Sequence, residues 1–324
     1  MNDINDEKRK RISVGLYSSC PASIKQAITF SLEQGYHFIV TQITHPSYTR
    51  NVKKKGEPQA IGRTDRVLQS NEWGRLIVGE LSSVDVDSDV RYIQEKSKNI
   101  LAQELGFASH LGIPAIWLPL TKPNNPQLAR LLNEKLISSF SYSVWIHVPM
   151  IHPSRVSPIA ESEEDTWQWW NEFRTYCNYD KRLGLALELC TAQKIAPPCE
   201  ISRWIGEPVK AIVIPTSYFL ENQYGKPVLS KVHQEILQKF MSIDVQYVIK
   251  VDSEGDVSLY LRYLQFLGKK LYVHDVMNEF VHGFEDFLQN PLQPLTEHLE
   301  TNIYEIFEKD QVKYDTYQMQ YTKL

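Results

Sequence analysis

Short runs that are apolar on both faces alternate along this chain with stretches whose apolar residues recur every three or four positions. The runs cover residues 12–17, 38–44, 76–79, 115–118, 143–148, 183–189, 209–214 and 246–251. Ala211-Ile212-Val213-Ile214 has no polar position, the pattern of a parallel strand covered on both sides. Helical stretches fall between them, at 23–34, 89–111, 127–140, 166–177, 201–205, 230–241 and 257–267. In the first, Ile24, Ala27, Ile28 and Ser31 share a face and Gly35 is a stop. In the second, Ile93, Ile100, Leu101, Leu105 and Ala108 form the stripe, ended by Gly112 and Pro114. Eight strands alternating with helices predict an α/β fold, a TIM-type (β/α)8 barrel rather than a doubly wound sheet. The glycine turn of a dinucleotide fold is missing after the first strand, where Tyr17-Ser18-Ser19-Cys20-Pro21 stands instead.

Where the alternation breaks, the chain becomes irregular. Residues 49–70 are polar and charged, and a loop of that length in a compact domain is usually functional or disordered. Residues 152–165 carry Pro153, Pro158 and an acidic run at 161–165, which suits the positive end of the helix that follows. Past Gly268 a helical stretch at 275–289 is broken by Pro291 and Pro294. A second stripe then runs through Leu295, Leu299, Ile303, Ile306 and Phe307. Such an arm needs a surface to cover its apolar face. The expected organisation is a disordered lead at 1–11, a barrel at 12–289 and a C-terminal helical linker arm at 290–324.

Composition narrows the function classes. The chain has 324 residues, 42% hydrophobic and 23% charged, as ordinary globular domains do. Its net charge is −4, and its basic runs, residues 8–11 and Lys53-Lys54-Lys55, are short. They read as solvated surface, so no nucleic-acid partner is expected. Cys20, Cys177, Cys190 and Cys199 form no C-x-x-C pair, which suits free thiols in a reducing compartment. The charged N-terminus is no secretory signal, and no apolar run is long enough to span a bilayer. A soluble protein of cytoplasm and nucleus is the expectation, with no metal.

Three groups at the ends of expected strands have catalytic chemistry: His147, Glu188 and Lys250. Barrel enzymes place acids and bases there, and a glutamate with a histidine would serve proton abstraction from a sugar or small carbonyl substrate. The competing reading is that they are satisfied polar residues at the barrel mouth, and the lack of a second carboxylate or metal pair at recognisable spacing favours it. Trp167, Trp169, Trp170, Phe173 and Tyr176 lie at helical spacing and read as packing. Arg63, in the polar loop, reads by itself as a solvated surface arginine, although a guanidinium there is suited to stacking on a partner's ring.

An ordered set of blocks resembles one family. Thr44-His45-Pro46, Leu111-Gly112-Ile113-Pro114-Ala115, Thr166-Trp167-Gln168-Trp169-Trp170, Arg203-Trp204-Ile205-Gly206-Glu207-Pro208, Pro227-Val228-Leu229-Ser230-Lys231 and Tyr304-Glu305-Ile306-Phe307-Glu308-Lys309-Asp310 are similar to the N-terminal half of the type II (symmetric) protein arginine methyltransferases, the catalytic subunits of the methylosome. The resemblance covers residues 12–324. It implies a barrel that does no chemistry, docks a WD-repeat propeller subunit, helps hold a homo-oligomer and positions substrate adaptors.

Residue by residue, the resemblance implies that Arg63 is the arginine of the propeller-docking loop. It matches Tyr304 and Lys313, with Tyr314 beside them, to linker contacts of S-adenosylmethionine, and Phe307 to the ring shaping the arginine pocket. The family's adaptor groove has paired lysines and a phenylalanine before Pro-Val-Leu-Ser-Lys and a glutamine on a nearby helix. Here Asn222, Gln223, Tyr224 and Lys226 stand in the first stretch, and Arg262 follows Tyr260 on the helix. Two charges and one ring are lost and a cation is gained, so the groove is expected to be inactive or to read another peptide. The family's glycine-rich cofactor motif and paired catalytic glutamates fall after Leu324. The expectation is a chain with no catalytic residue and no cofactor of its own.

Overall fold

The computed structural model describes residues 12–19, 21, 23–43, 68–137, 142–156, 165–191, 195–252 and 255–271, and near the C-terminus 304, 308–309 and 311–322. The chain divides into two compact units, Met1–Val273 and His274–Leu324. The first is built on eight parallel strands: β1 (Val14–Tyr17), β2 (Phe38–Gln42), β3 (Ile77–Glu80), β4 (Ala115–Pro119), β5 (Ser143–Pro149), β6 (Leu183–Glu188), β7 (Val209–Pro215) and β10 (Gln246–Lys250). Each pairs with its neighbour in the sequence, and β1 pairs with both β2 and β10, which closes the expected barrel. Between β7 and β10, β8 (Leu220–Glu221) and β9 (Pro227–Val228) form a small antiparallel hairpin.

Strand alternation sorts side chains into two layers. Inward go Phe38, Val40, Val78, Ala115, Trp117, Trp145, Ala186, Ala211, Val213 and Val248, which fill the barrel. Outward go residues such as Val14, Ile39, Ile77, Ile116, Val144, Leu185, Ile212 and Ile249, which pack under the helices. Each such aliphatic side chain contributes about 1.5–3 kcal/mol when fully buried. Gly15 marks the tightest place. A Cβ there would sit 2.3 Å from the Phe38 ring, so the ring occupies the space a side chain on β1 would need.

The covering helices are α1 (Ile24–Glu33), α2 (Ser70–Leu76), α3 (Arg91–Leu111), α4 (Pro126–Ile137), α5 (Pro153–Val156), α6 (Thr166–Tyr176), α7 (Pro198–Ile205), α8 (Lys231–Met241) and α9 (Val257–Leu271). Ser23 caps α1, and Gly112 ends α3 at φ +67°, as their sequence positions suggested. Most of the Trp-rich stretch is packing, since Trp169, Trp170 and Phe173 are buried, but Tyr176, expected to pack with them, is exposed. Asp165, last of the acidic run, caps α6 by accepting from Trp167 N at 3.0 Å.

Three local expectations need correction. Helix α2 falls where the pattern suggested loop and then strand, so Leu76 closes a helix and β3 begins at Ile77. Two turns containing Gly74 are too short to show a period; Glu72 accepting from Gln69 N at 2.7 Å and the burial of Trp73 hold the helix. Helix α7 starts at Pro198, which suits a helix's first turn, rather than at 201. In α3, Ile93 is exposed, and the buried face instead includes Ser97 and Glu104. Glu104 is buried because it accepts from Ser82 N at 2.8 Å and Ser82 Oγ at 2.5 Å, tying α3 to the end of β3.

A second polar anchor fixes α6. Glu207 accepts from Trp167 Nε1 and Trp170 Nε1, each at 2.9 Å, and pairs with Arg174. Arg203 of α7 adds a 2.6 Å ion pair to Asp165 and lies over the Trp167 ring at 4.6 Å.

Candidate functional site

Strand ends bring His147, Glu188 and Lys250 together at the C-terminal mouth. His147 Nε2 donates to Glu188 Oε2 at 3.1 Å, and Lys250 Nζ donates to the same oxygen at 3.0 Å. The His147 ring also packs against Trp117, tilted by 32° with centroids 4.9 Å apart. Two groups that the strand pattern did not single out join them. Tyr17, the last residue of β1, donates to Glu80 Oε1 at 2.8 Å, and Glu80 is the last residue of β3. The available signal was position alone, since both close strands of a parallel barrel. Above this layer lies a cavity of about 450 Å³, lined by Tyr17, Glu80, Trp117, His147, Trp169 and Lys250 among others.

The carboxylates differ in electrostatic setting. Burial pushes Glu188 up, but the His147 hydrogen bond and the charge and hydrogen bond of Lys250 outweigh it, leaving the group at about 2. Burial also pushes Glu80 up, and there it wins over the Tyr17 hydrogen bond and the positive neighbours. Glu188 is therefore ionised and engaged near neutral pH, a poor general base, because proton abstraction works best with a base whose pKa lies near the operating pH. This favours reading His147, Glu188 and Lys250 as a satisfied polar cluster. Among the described residues no group of three or more His, Cys, Asp or Glu side chains is placed to hold a metal ion.

The β8–β9 hairpin carries Asn222, Gln223, Tyr224 and Lys226. Asn222 Oδ1 accepts from Tyr224 N at 2.9 Å and Lys226 N at 3.0 Å, with Gly225 at φ +67° making the turn. Asn222 thus shapes the loop, while Tyr224 stands 76% exposed at its tip. At the hairpin's base Phe219 packs edge-on against Tyr260 and Tyr263 of α9, with ring centroids 4.8 and 5.9 Å away. The structure therefore gathers Tyr224 and Lys226 on a hairpin packed on the helix that bears Tyr260 and the exposed Arg262.

In the second unit, helix Gln311–Tyr321 holds Lys313 and Tyr314 and buries none of its residues. Tyr304 and Tyr314 are partly exposed, at 42% and 47%. An ammonium and two phenols suit the carboxylate and polar edges of S-adenosylmethionine, but no enclosed pocket forms from these described residues alone. Arg63 and Phe307 lie outside the described residues. No helix among the described residues is long and apolar enough to cross a membrane.

A filled parallel barrel whose strand-end charges pair with one another defines a (β/α)8 scaffold. The family model described as the PRMT5 TIM barrel domain matches residues 35–270, and that of the PRMT5 arginine-N-methyltransferase matches residues 275–324. The chain belongs to the PRMT5 family of protein arginine N-methyltransferases. It is 39% identical to protein arginine N-methyltransferase 5 of Xenopus laevis, over 95% of this chain and 52% of that protein. It is 30% identical to the Oryza sativa subsp. japonica protein of the same name, over 90% and 49%. The chain thus spans about half the length of these relatives. Among solved structures, the TTHB071 protein of Thermus thermophilus superposes with a TM-score of 0.53 at 12% identity, covering 80% of this chain and 99% of that one. That likeness is of fold alone, and the stand-alone sugar or carbonyl enzyme draws no more than this from it.

Proposed function

We propose that this chain is the barrel and linker part of an S-adenosylmethionine-dependent protein arginine methyltransferase, and that its barrel docks partners instead of turning over a substrate. The complete protein transfers methyl groups to arginine, giving the symmetric dimethyl product, in cytoplasm and nucleus. The observation that carries the reading is the family match running through both the barrel and the segment after it. The engagement of Glu188 by His147 and Lys250 agrees with it, because that carboxylate is already committed.

In this reading the loop carrying Arg63 receives a WD-repeat propeller, and the full-length protein forms a homo-oligomer. The hairpin and α9 receive substrate adaptors, and exposed Lys226 and Arg262 favour an adaptor segment with carboxylates. Tyr304, Lys313, Tyr314 and Phe307 meet cofactor and substrate only together with residues beyond those of this chain. The test is methyl transfer from radiolabelled S-adenosylmethionine to an arginine–glycine-rich peptide. The chain alone is expected to give the counts of a blank, and transfer above the blank contradicts the proposal.

A further inference from the structure

The barrel-mouth cavity has no role in docking, yet its walls are those of a ligand site. Its volume, about 450 Å³, is that of small-molecule pockets. Trp117 and Trp169, both nearly buried, form part of its apolar lining with Pro119 and Pro149, and the His147 and His152 rings pack on the indoles at 4.9 and 5.1 Å. The polar groups are few and of both kinds. Lys250 offers N–H donors beyond the one given to Glu188, and Thr121 offers a hydroxyl. Glu80 also lines the cavity, and its Oε1, which accepts from Tyr17, has lone-pair capacity for a second hydrogen bond.

We propose that the barrel mouth binds a small uncharged ring compound bearing hydroxyl groups, of monosaccharide size. Charge selects this class. Lys250 repels a cationic ligand, and because Glu188 already matches its charge it gives an anionic one little net attraction. A hydroxyl both donates and accepts, so adjacent hydroxyls can donate to Glu80 and accept from Lys250. The C–H face of the ring lies against the apolar lining that Pro119, Pro149 and the uncovered parts of the indoles supply.

The chain is titrated with D-glucose, D-fructose, D-galactose and myo-inositol, read by saturation-transfer NMR and by tryptophan fluorescence. Phosphate and methylguanidinium serve as charged probes. Saturable binding of at least one neutral compound is expected, weakened about tenfold by Glu80→Gln, the scale for losing one hydrogen bond. Thr121→Trp, at an exposed position on the cavity wall, is expected to abolish it with the fold unchanged by circular dichroism. Thr121→Trp decides the outcome if Glu80→Gln fails to fold. Absence of saturation by all four compounds, tighter binding of either charged probe, or binding unaltered by Thr121→Trp overturns the proposal.

Discussion

Glu188 keeps its charge because His147 and Lys250 surround one of its oxygens. Replacing it by glutamine leaves a partly buried ammonium without its counter-charge. Glu188→Gln is expected to destabilise the barrel at neutral pH by about 1–3 kcal/mol, measured by urea denaturation. The pH dependence follows from the direction of the shift. A carboxyl held at about 2, below its ordinary 4.5, contributes stability above pH 4.5 that is lost as pH falls toward 2. The gap between wild type and variant should therefore narrow across that window. Glu80 acts in the opposite sense: its raised pKa makes its contribution fall as pH rises above 4.5. A gap that stays constant down to pH 2 contradicts the ion-pair assignment. Arg63→Ala, argued from the family resemblance, is expected to weaken propeller binding by about 1–3 kcal/mol, as loss of an interface arginine commonly does. An unchanged dissociation constant, with the fold intact, refutes that role. At this scale His147, Glu188 and Lys250 were legible, because polar residues that close apolar strands stand out. Glu80 was not, since the apolar run reads as ending at Gly79, and its partner Tyr17 lies 63 positions away.

Among the elements, α6 depends on one acceptor more than on its own sequence. Glu207, only 6% exposed, satisfies two indole N–H groups and the Arg174 guanidinium. Glu207→Ala is expected to cost about 3–5 kcal/mol, the range for removing one partner of a buried ion pair. Its unfolding midpoint in urea should drop accordingly, and a midpoint shared with wild type contradicts the anchoring role. The pattern that revealed α6 was its apolar spacing, which says nothing of Glu207, because that residue follows α7 and reaches α6 only through the fold. Helix α2 escaped for a different reason. A seven-residue helix with a central glycine has too few turns to show a period, and its stability comes from the buried Trp73 and the Glu72 cap.

For the molecule as a whole, eight runs of apolar residues separated by helical periods were enough to specify a closed parallel barrel. What fills the barrel was less legible, because Trp117, Trp145 and Phe38 look like any strand aromatics until closure turns them inward. The C-terminal unit follows another logic. Helix Gln311–Tyr321 buries nothing, so Lys313 and Tyr314 have no enclosed site around them among the described residues. S-adenosylmethionine is accordingly expected to give no measurable heat of binding with this chain in calorimetry, because exposed side chains on one helix cannot desolvate a ligand. Micromolar affinity contradicts that view. The central claim is that the barrel serves as a docking body, and a pull-down with the cognate WD-repeat propeller tests it most directly. The chain should retain the propeller as a stable complex through washing. A correctly folded chain that leaves all the propeller in the unbound fraction contradicts the account.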